Sequence, residues 1–224
     1  MSGGPQVNGG SRIGLFGGTF DPIHRGHVDL ALACQAELGL DGVWLMPASL
    51  PPHKPAAMAS AHHRLAMVAL AAAAHDSLVP EPCELERAGA SYTVDTLERI
   101  HATRPDVEVH LLVGADSLRD FSSWRRWRDI VSLAKLVATA RVGVDLDAAL
   151  ASASSAIPSD RLLIVRHEPP GWSSRELRAR LCWGDPCRDA LDGAVAAYIE
   201  KCGLYAPGSG PASEPCPGSL ETTT

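Results

Sequence analysis

The sequence predicts an α/β fold: a doubly wound parallel sheet with helices on both faces, in a single domain. Three observations lead there. Short apolar runs of β character recur along the chain, at Ile13 to Phe16, Val43 to Met46, Val107 to Val113, Leu136 to Ala140 and Leu162 to Val165. Segments of helical length lie between them, and strands alternating with helices build a parallel sheet covered on both sides. No repeat and no mid-chain linker interrupts the pattern, and 46% hydrophobic against 21% charged residues in 224 is enough to bury a real core. In such a sheet, ligands are expected outside the carboxyl ends of the strands.

Taken in order, residues 1–10 are Gly-rich and lack the charged start and apolar centre of a secretory signal, so they read as a flexible leader. The first strand runs into Gly17-Gly18-Thr19-Phe20-Asp21-Pro22-Ile23-His24-Arg25-Gly26-His27, and a helix follows from Gly26 to Leu38, stopped by Gly39. The second strand leads to a loop stiffened by Pro51 and Pro52 that carries Lys54, then to a helix from Ala61 to His75. Ser91-Tyr92-Thr93 introduces a helix from Val94 to Thr103, with Thr93 expected as its N-cap and Pro105 as its stop. After the strand ending at Val113 come Gly114-Ala115-Asp116-Ser117 and Phe121-Ser122-Ser123-Trp124-Arg125-Arg126-Trp127. The Ala/Ser-rich stretch from Ala148 to Ala156 is too short and too apolar to separate domains. Trp172-Ser173-Ser174 opens a helix carrying Arg178, and a C-terminal helix is expected from about Pro186 to Lys201. Residues 207–224, built of Pro, Gly, Ser, Glu and Thr with one cysteine, have too little apolar area to offset their ordering entropy and read as a disordered tail. The folded domain is therefore expected to span residues 11–206.

Charge and composition exclude several classes. A net charge of −6 gives no global basic field for nucleic acid or an acidic membrane, so an anionic ligand must be held by local groups. The longest apolar stretch, Leu65 to Ala74, falls short of the roughly 18 residues of a membrane span. Six cysteines without a C-x-x-C pair fit reduced thiols in a cytoplasmic protein. Homo-oligomerisation is left open.

The segment after the first strand is the most informative. Two consecutive glycines allow a sharp turn and a close approach of backbone N–H groups to a phosphate. The helix that follows adds its positive amino-terminal end. His24 and His27, three apart, can project from one side of its first turn and donate to a phosphoryl oxygen. The segment is neither G-x-G-x-x-G nor a Walker loop, and no Cys or carboxylate stands at a spacing that would complete a zinc site with the two histidines. No G-x-S-x-G elbow or catalytic cysteine context points to a covalent nucleophile.

GGTFDPIHRGH resembles the signature of the H-x-G-H nucleotidylyltransferase superfamily. Within it the chain is similar to the bacterial nicotinate-nucleotide adenylyltransferases along nearly all of the expected domain. That resemblance implies a Rossmann-like sheet and transfer of AMP from ATP to nicotinate mononucleotide, releasing pyrophosphate, with Mg²⁺ accompanying ATP and no metal site of the protein's own. It implies that Gly17, Gly18, Thr19 and Phe20 line the ATP site and that His24 and His27 hold the ATP phosphates. Trp172-Ser173-Ser174-Arg175-Glu176-Leu177-Arg178 resembles the second nucleotide motif, S-S-T-x-I-R, placing Ser173, Ser174 and Arg178 with ATP and His24, His27 and Arg178 in catalysis. Arg175 stands for its threonine and Leu177 for its isoleucine. Arg141-Val142-Gly143 stands where relatives show Arg-Pro-Gly, which assigns Arg141 to ATP as well.

On the acceptor side, the resemblance assigns Lys54 to a position near the phosphates of the mononucleotide. It assigns Tyr92 to the mononucleotide site, the backbone at Thr93 to the nicotinate carboxylate, Asp116 to the ribose, Trp124 to stacking on the pyridine ring, and the amide of Arg125 to the carboxylate again. Trp127 is left as packing. The alternatives are a related transferase acting on nicotinamide mononucleotide, pantetheine phosphate or a cytidylyl acceptor, and a nucleotide-binding regulator without chemistry.

Overall fold

Side-chain alternation along the first strand sets the layering of the molecule. In β1 (Arg12–Gly18) Ile13 and Leu15 face one side of the sheet while Gly14 and Phe16 face the other. The computed structural model describes residues 10–49, 57–86, 92–140, 145–154, 157–167 and 170–207. Within them β1 is joined by β2 (Gly42–Pro47), β3 (Leu78–Pro80), β4 (Glu108–Gly114), β5 (Lys135–Thr139) and β6 (Leu162–Val165) in one sheet of order β3-β2-β1-β4-β5-β6, every pair parallel. This is the expected doubly wound α/β sheet. The chain winds outward from β1 to β3, returns beside β1 as β4, and winds outward again, so the order reverses between β1 and β4. In open α/β sheets that reversal leaves a crevice at the carboxyl ends of the strands.

The helices are α1 (Arg25–Leu38), α2 (Ala61–Ala72), α3 (Thr93–Thr103), α4 (Ala115–Arg119), α5 (Trp127–Leu133), α6 (Leu146–Ser154), α7 (Ser174–Cys182) and α8 (Gly193–Lys201). One core joins Val43, Leu45, Leu112 and Val137 of the sheet to Ala31 and Cys34 of α1, Met67 and Val68 of α2, and Val195 and Ile199 of α8. The other joins Leu15, Trp44, Val109, Leu111 and Leu136 to Val94 and Leu97 of α3, Ile130 of α5 and Ala149 of α6. Burying both faces of each central strand in this way is what a parallel sheet requires.

Several expectations change. β3, three residues ending at Pro80, is too short to show a period. α2 stops at Ala72, three residues short of the expected end. The C-terminal helix begins at Gly193 rather than near Pro186, because Cys187 has a left-handed backbone (φ 50°) and Asp192 supplies the cap, accepting from the Ala194 amide at 2.8 Å. The N-cap of α3 is Tyr92, which leaves Thr93 one residue inside the helix, where its hydroxyl does not cap. Cys34, Cys83, Cys187 and Cys202 are free as expected, but Cys182 is disulfide-bonded, against the expectation of reduced thiols throughout.

Candidate active site

The loop between β1 and α1 is built differently from a glycine turn. Gly17 and Gly18 stay in the strand, paired with Met46 and Pro47 of β2, and the chain turns at Phe20, which takes the left-handed conformation at φ 49°. Gly18 is needed for space: a Cβ there would stand 2.8 Å from Cζ of Phe20, whose buried ring lies over it. That ring meets His27 edge to face, with centroids 5.1 Å apart, and Phe16 flanks both. Phe20 thus acts as a backstop for the second histidine.

His24 is the N-cap of α1, and its amide donates to Nδ1 of His27 at 3.3 Å. An accepting Nδ1 puts the proton of a neutral His27 on Nε2, which makes that atom the donor. The two imidazoles stack with centroids 3.7 Å apart and planes 28° from parallel, so both project from one side of the first turn as the spacing predicts. Gly26 between them leaves room for the His24 ring and the Pro170 carbonyl, 3.1 and 3.3 Å from a Cβ at that position. The first helical amide, that of Arg25, does not point into open space; it donates to the Ala190 carbonyl at 2.8 Å.

The second motif is pinned to this loop. Ser174 Oγ donates to the Pro22 carbonyl at 3.0 Å, and Arg178 Nη1 donates to the Asp21 carbonyl at 2.7 Å. The Arg178 side chain remains 26% exposed, so its guanidinium reaches the surface beside the loop. Ser173 caps α7 in a capping box with Glu176, its Oγ accepting from the Glu176 amide at 3.2 Å. Arg175 points to solvent. The structure therefore brings His24, His27, Ser174 and Arg178 together around Asp21 and Pro22, two motifs separated by about 150 residues of chain.

Two residues that hold this arrangement were not anticipated. Arg64 is 1% exposed, and its guanidinium donates to the carbonyls of Thr19 (2.8 Å), Ala48 (2.7 Å), Ala59 (3.3 Å) and Ser49 (3.4 Å). Burial lowers its pKa, while Asp21 and Tyr205 act in the opposite direction. Its position carried a signal: Arg64, Met67, Val68 and Ala71 form the buried stripe of α2, so a charged residue sits where a helix period calls for an apolar one. The Asp21 carboxylate, also buried, accepts from the amides of Met58 (2.8 Å) and Ala59 (3.0 Å). Between them, Arg64 and Asp21 clamp the β1–α1 loop to the segment before α2. The Thr19 hydroxyl is buried without a hydrogen-bond partner among the described residues.

Of the expected acceptor residues, Tyr92, Thr93, Asp116, Trp124 and Arg125 are described. Asp116 is the second residue of α4, directly after the carboxyl end of β4, and a Cβ at Gly114 would come within 2.8 Å of its Oδ1. The guanidinium of Arg125 lies over the Tyr92 ring at 4.5 Å, and Trp124 packs at 5.3 Å on Phe121. Trp127 packs on Phe121 as well and carries the Arg128 guanidinium at 4.4 Å. Thr93 opens α3 beside Tyr92. Lys54 and Arg141 lie outside the described residues.

Among the described residues no three His, Cys, Asp or Glu side chains converge as a metal site. Burial pushes the thiols of Cys34 and Cys83 up to about 12, which keeps them protonated and unreactive near neutral pH. Among the described residues no helix is long and apolar enough to cross a membrane.

Comparison with known proteins agrees with this fold. The family model described as cytidylyltransferase-like matches residues 15–180. A protein of Bordetella petrii named "Probable nicotinate-nucleotide adenylyltransferase" is 41% identical over 196 residues, covering 87% of this chain and 98% of that protein. One of the same name from a Roseiflexus species is 40% identical, covering 86% and 97%. The solved structure of Plasmodium falciparum nicotinic acid mononucleotide adenylyltransferase complexed with NaAD aligns with a TM-score of 0.70 at 19% identity, covering 87% of this chain and 97% of that one, which is a likeness of fold. A sheet that reverses beside a histidine pair, and relatives about 40% identical over nearly their whole length, lead to one conclusion: the chain belongs to the nicotinate-nucleotide adenylyltransferases, within the cytidylyltransferase-like family.

Proposed function

We propose that this protein transfers the adenylyl group of ATP to nicotinate mononucleotide, forming nicotinate adenine dinucleotide and pyrophosphate in NAD biosynthesis. The observation that carries the proposal is the stacked His24–His27 pair on a loop to which Arg178 is bonded. Three donors on one rigid frame suit a reaction in which negative charge shifts between phosphate oxygens. A phosphate oxygen of the mononucleotide attacks the α-phosphorus of ATP. The bond from that phosphorus to the oxygen bridging it to the β-phosphorus breaks, and pyrophosphate leaves with the electron pair. No enzyme nucleophile takes part, so the protein's contribution is alignment and charge neutralisation.

In this reading His24, His27 and Arg178 act on the phosphates in the transition state. Gly17, Gly18, Thr19, Phe20, Arg141, Ser173 and Ser174 form the ATP side, where the Thr19 hydroxyl, without a partner among the described residues, offers one polar contact. Lys54, Tyr92, Thr93, Asp116, Trp124 and Arg125 form the acceptor side. Members of the family use a divalent metal with ATP; here Mg²⁺ would be carried on the phosphate oxygens, shielding charge that the described side chains do not neutralise. Residues 11–206 would form the catalytic domain of a cytoplasmic protein. The test is label transfer: with ATP labelled at the α-phosphorus, the label should appear in a dinucleotide that also contains the nicotinate moiety. Label recovered only in AMP would overturn the proposal.

A further inference from the structure

We infer that Tyr205 is a positioning residue for adenylyl transfer: its hydroxyl fixes the Asp21 carboxylate, and through it sets where the Arg178 guanidinium stands. The inference rests on the function proposed above. Tyr205 lies at the far end of the chain from the motif it serves, 184 residues from Asp21. It is 2% exposed, with a left-handed backbone (φ 61°) that turns the ring inward just after α8.

The bonds around Asp21 show what the phenol does. Oδ1 accepts from the Tyr205 hydroxyl at 2.8 Å and from the Ala59 amide at 3.0 Å. Oδ2 accepts from the Met58 amide at 2.8 Å and stands 3.8 Å from Arg178 Nη1, close enough for attraction but too far for a hydrogen bond. That same Nη1 donates to the Asp21 carbonyl instead. The buried carboxylate thus has a sufficient set of neutral donors, which leaves the guanidinium of Arg178 directed to the loop backbone. Arg64, the other nearby cation, is occupied by four carbonyls. Burial and the Asp21 charge push the Tyr205 hydroxyl well above its ordinary pKa, so it stays a protonated donor.

Without that hydroxyl, Oδ1 keeps one donor in a site from which water is excluded. An underbonded buried carboxylate turns to the nearest cation, and that cation is Arg178. The guanidinium would close the 3.8 Å gap and leave its place beside the ATP phosphates.

Tyr205→Phe keeps the ring and removes only the donor. A hydrogen bond to a charged group corresponds to roughly tenfold or more in binding. The variant should therefore stay folded at the assay temperature with a thermal midpoint lowered by several degrees, while KM for ATP and the calorimetric Kd for ATP rise about tenfold and KM for nicotinate mononucleotide is unchanged. In an Arg178→Ala background, Tyr205→Phe should leave the Kd for ATP where Arg178→Ala alone puts it. Unchanged ATP binding in Tyr205→Phe would overturn the inference, as would the same factor reappearing in the Arg178→Ala background, which would make the hydroxyl a purely structural anchor. Wild type assayed alongside keeps the two claims apart: no pyrophosphate from ATP and nicotinate mononucleotide would contradict the proposed reaction, whereas an active wild type with an indifferent Tyr205→Phe contradicts only the role of Tyr205.

Discussion

The imidazole of His27 rests between two rings, stacked on His24 with centroids 3.7 Å apart and braced edge to face by Phe20 at 5.1 Å. With its Nδ1 accepting from the His24 amide, its remaining nitrogen is aimed rather than free to turn. His27→Ala should therefore lower turnover by about 10²–10³, the effect of deleting one preorganised donor. The thermal midpoint should stay near wild type, because His27 is only partly buried. Turnover within a few fold of wild type would remove His27 from the chemistry.

Gly18→Ala tests the backstop. The new Cβ would meet Phe20 ring carbons at 2.8, 2.9 and 3.1 Å, so the ring must shift, and His27 with it. A displacement of about 1 Å in a catalytic group can cost 10²-fold. Turnover should fall at least about tenfold on the same argument, and Gly18→Ala combined with Phe20→Leu should recover part of it. Equal activity in Gly18→Ala and wild type would show that Phe20 does not set the histidine.

Arg64→Met removes a buried cation from four backbone carbonyls that have been drawn together around it. Unsatisfied buried acceptors cost roughly 1–3 kcal/mol each, partly offset where water enters. A net loss of about 3 kcal/mol would lower the thermal midpoint by roughly 6–12 °C in a domain of this size. Differential scanning calorimetry would read it, and a shift below about 2 °C would mean the carbonyls find other donors.

His110 gives the fold a pH dependence. It is fully buried in β4, and burial holds its pKa below the ordinary value of 6.5, against the attraction of Glu108 and with help from Arg12 and Lys135. The unfolded chain binds that proton near pH 6.5 while the folded chain resists it. Stability is therefore complete above that pH and is lost as pH falls below it. The midpoint should drop between about pH 7.5 and 5.5, and His110→Leu should flatten the drop. A His110→Leu variant with the wild-type pH profile would assign the dependence to other groups.

Most of the scaffold was legible in the sequence because a buried parallel sheet advertises itself in apolar runs. The five strands read from the sequence are strands, and Gly39 ends α1 in the left-handed conformation at φ 59°. β3 escaped because three residues have no period, and the C-terminal helix was drawn too long because the turn at Cys187 belongs to a residue type that rarely turns. The shared side of His24 and His27 was legible from their spacing at a helix start. The turn expected of the glycine pair is made by Phe20 instead, and the need for glycine at Gly18 comes from the Phe20 ring, a tertiary contact. Arg64 carried a local signal in its place on the apolar stripe of α2, whereas Asp21 and Tyr205 carried none. Their partners are backbone groups and side chains from 37 to 184 residues away in the case of Asp21, and no local pattern encodes such bonds.

The most direct measurement of the central claim is pyrophosphate release from ATP and a divalent cation, with nicotinate mononucleotide, its amide and pantetheine phosphate supplied in separate reactions. The account predicts fast release with nicotinate mononucleotide and much slower release with the other two. Release that is faster with either of the other acceptors, or absent with all three while ATP still binds, would contradict it.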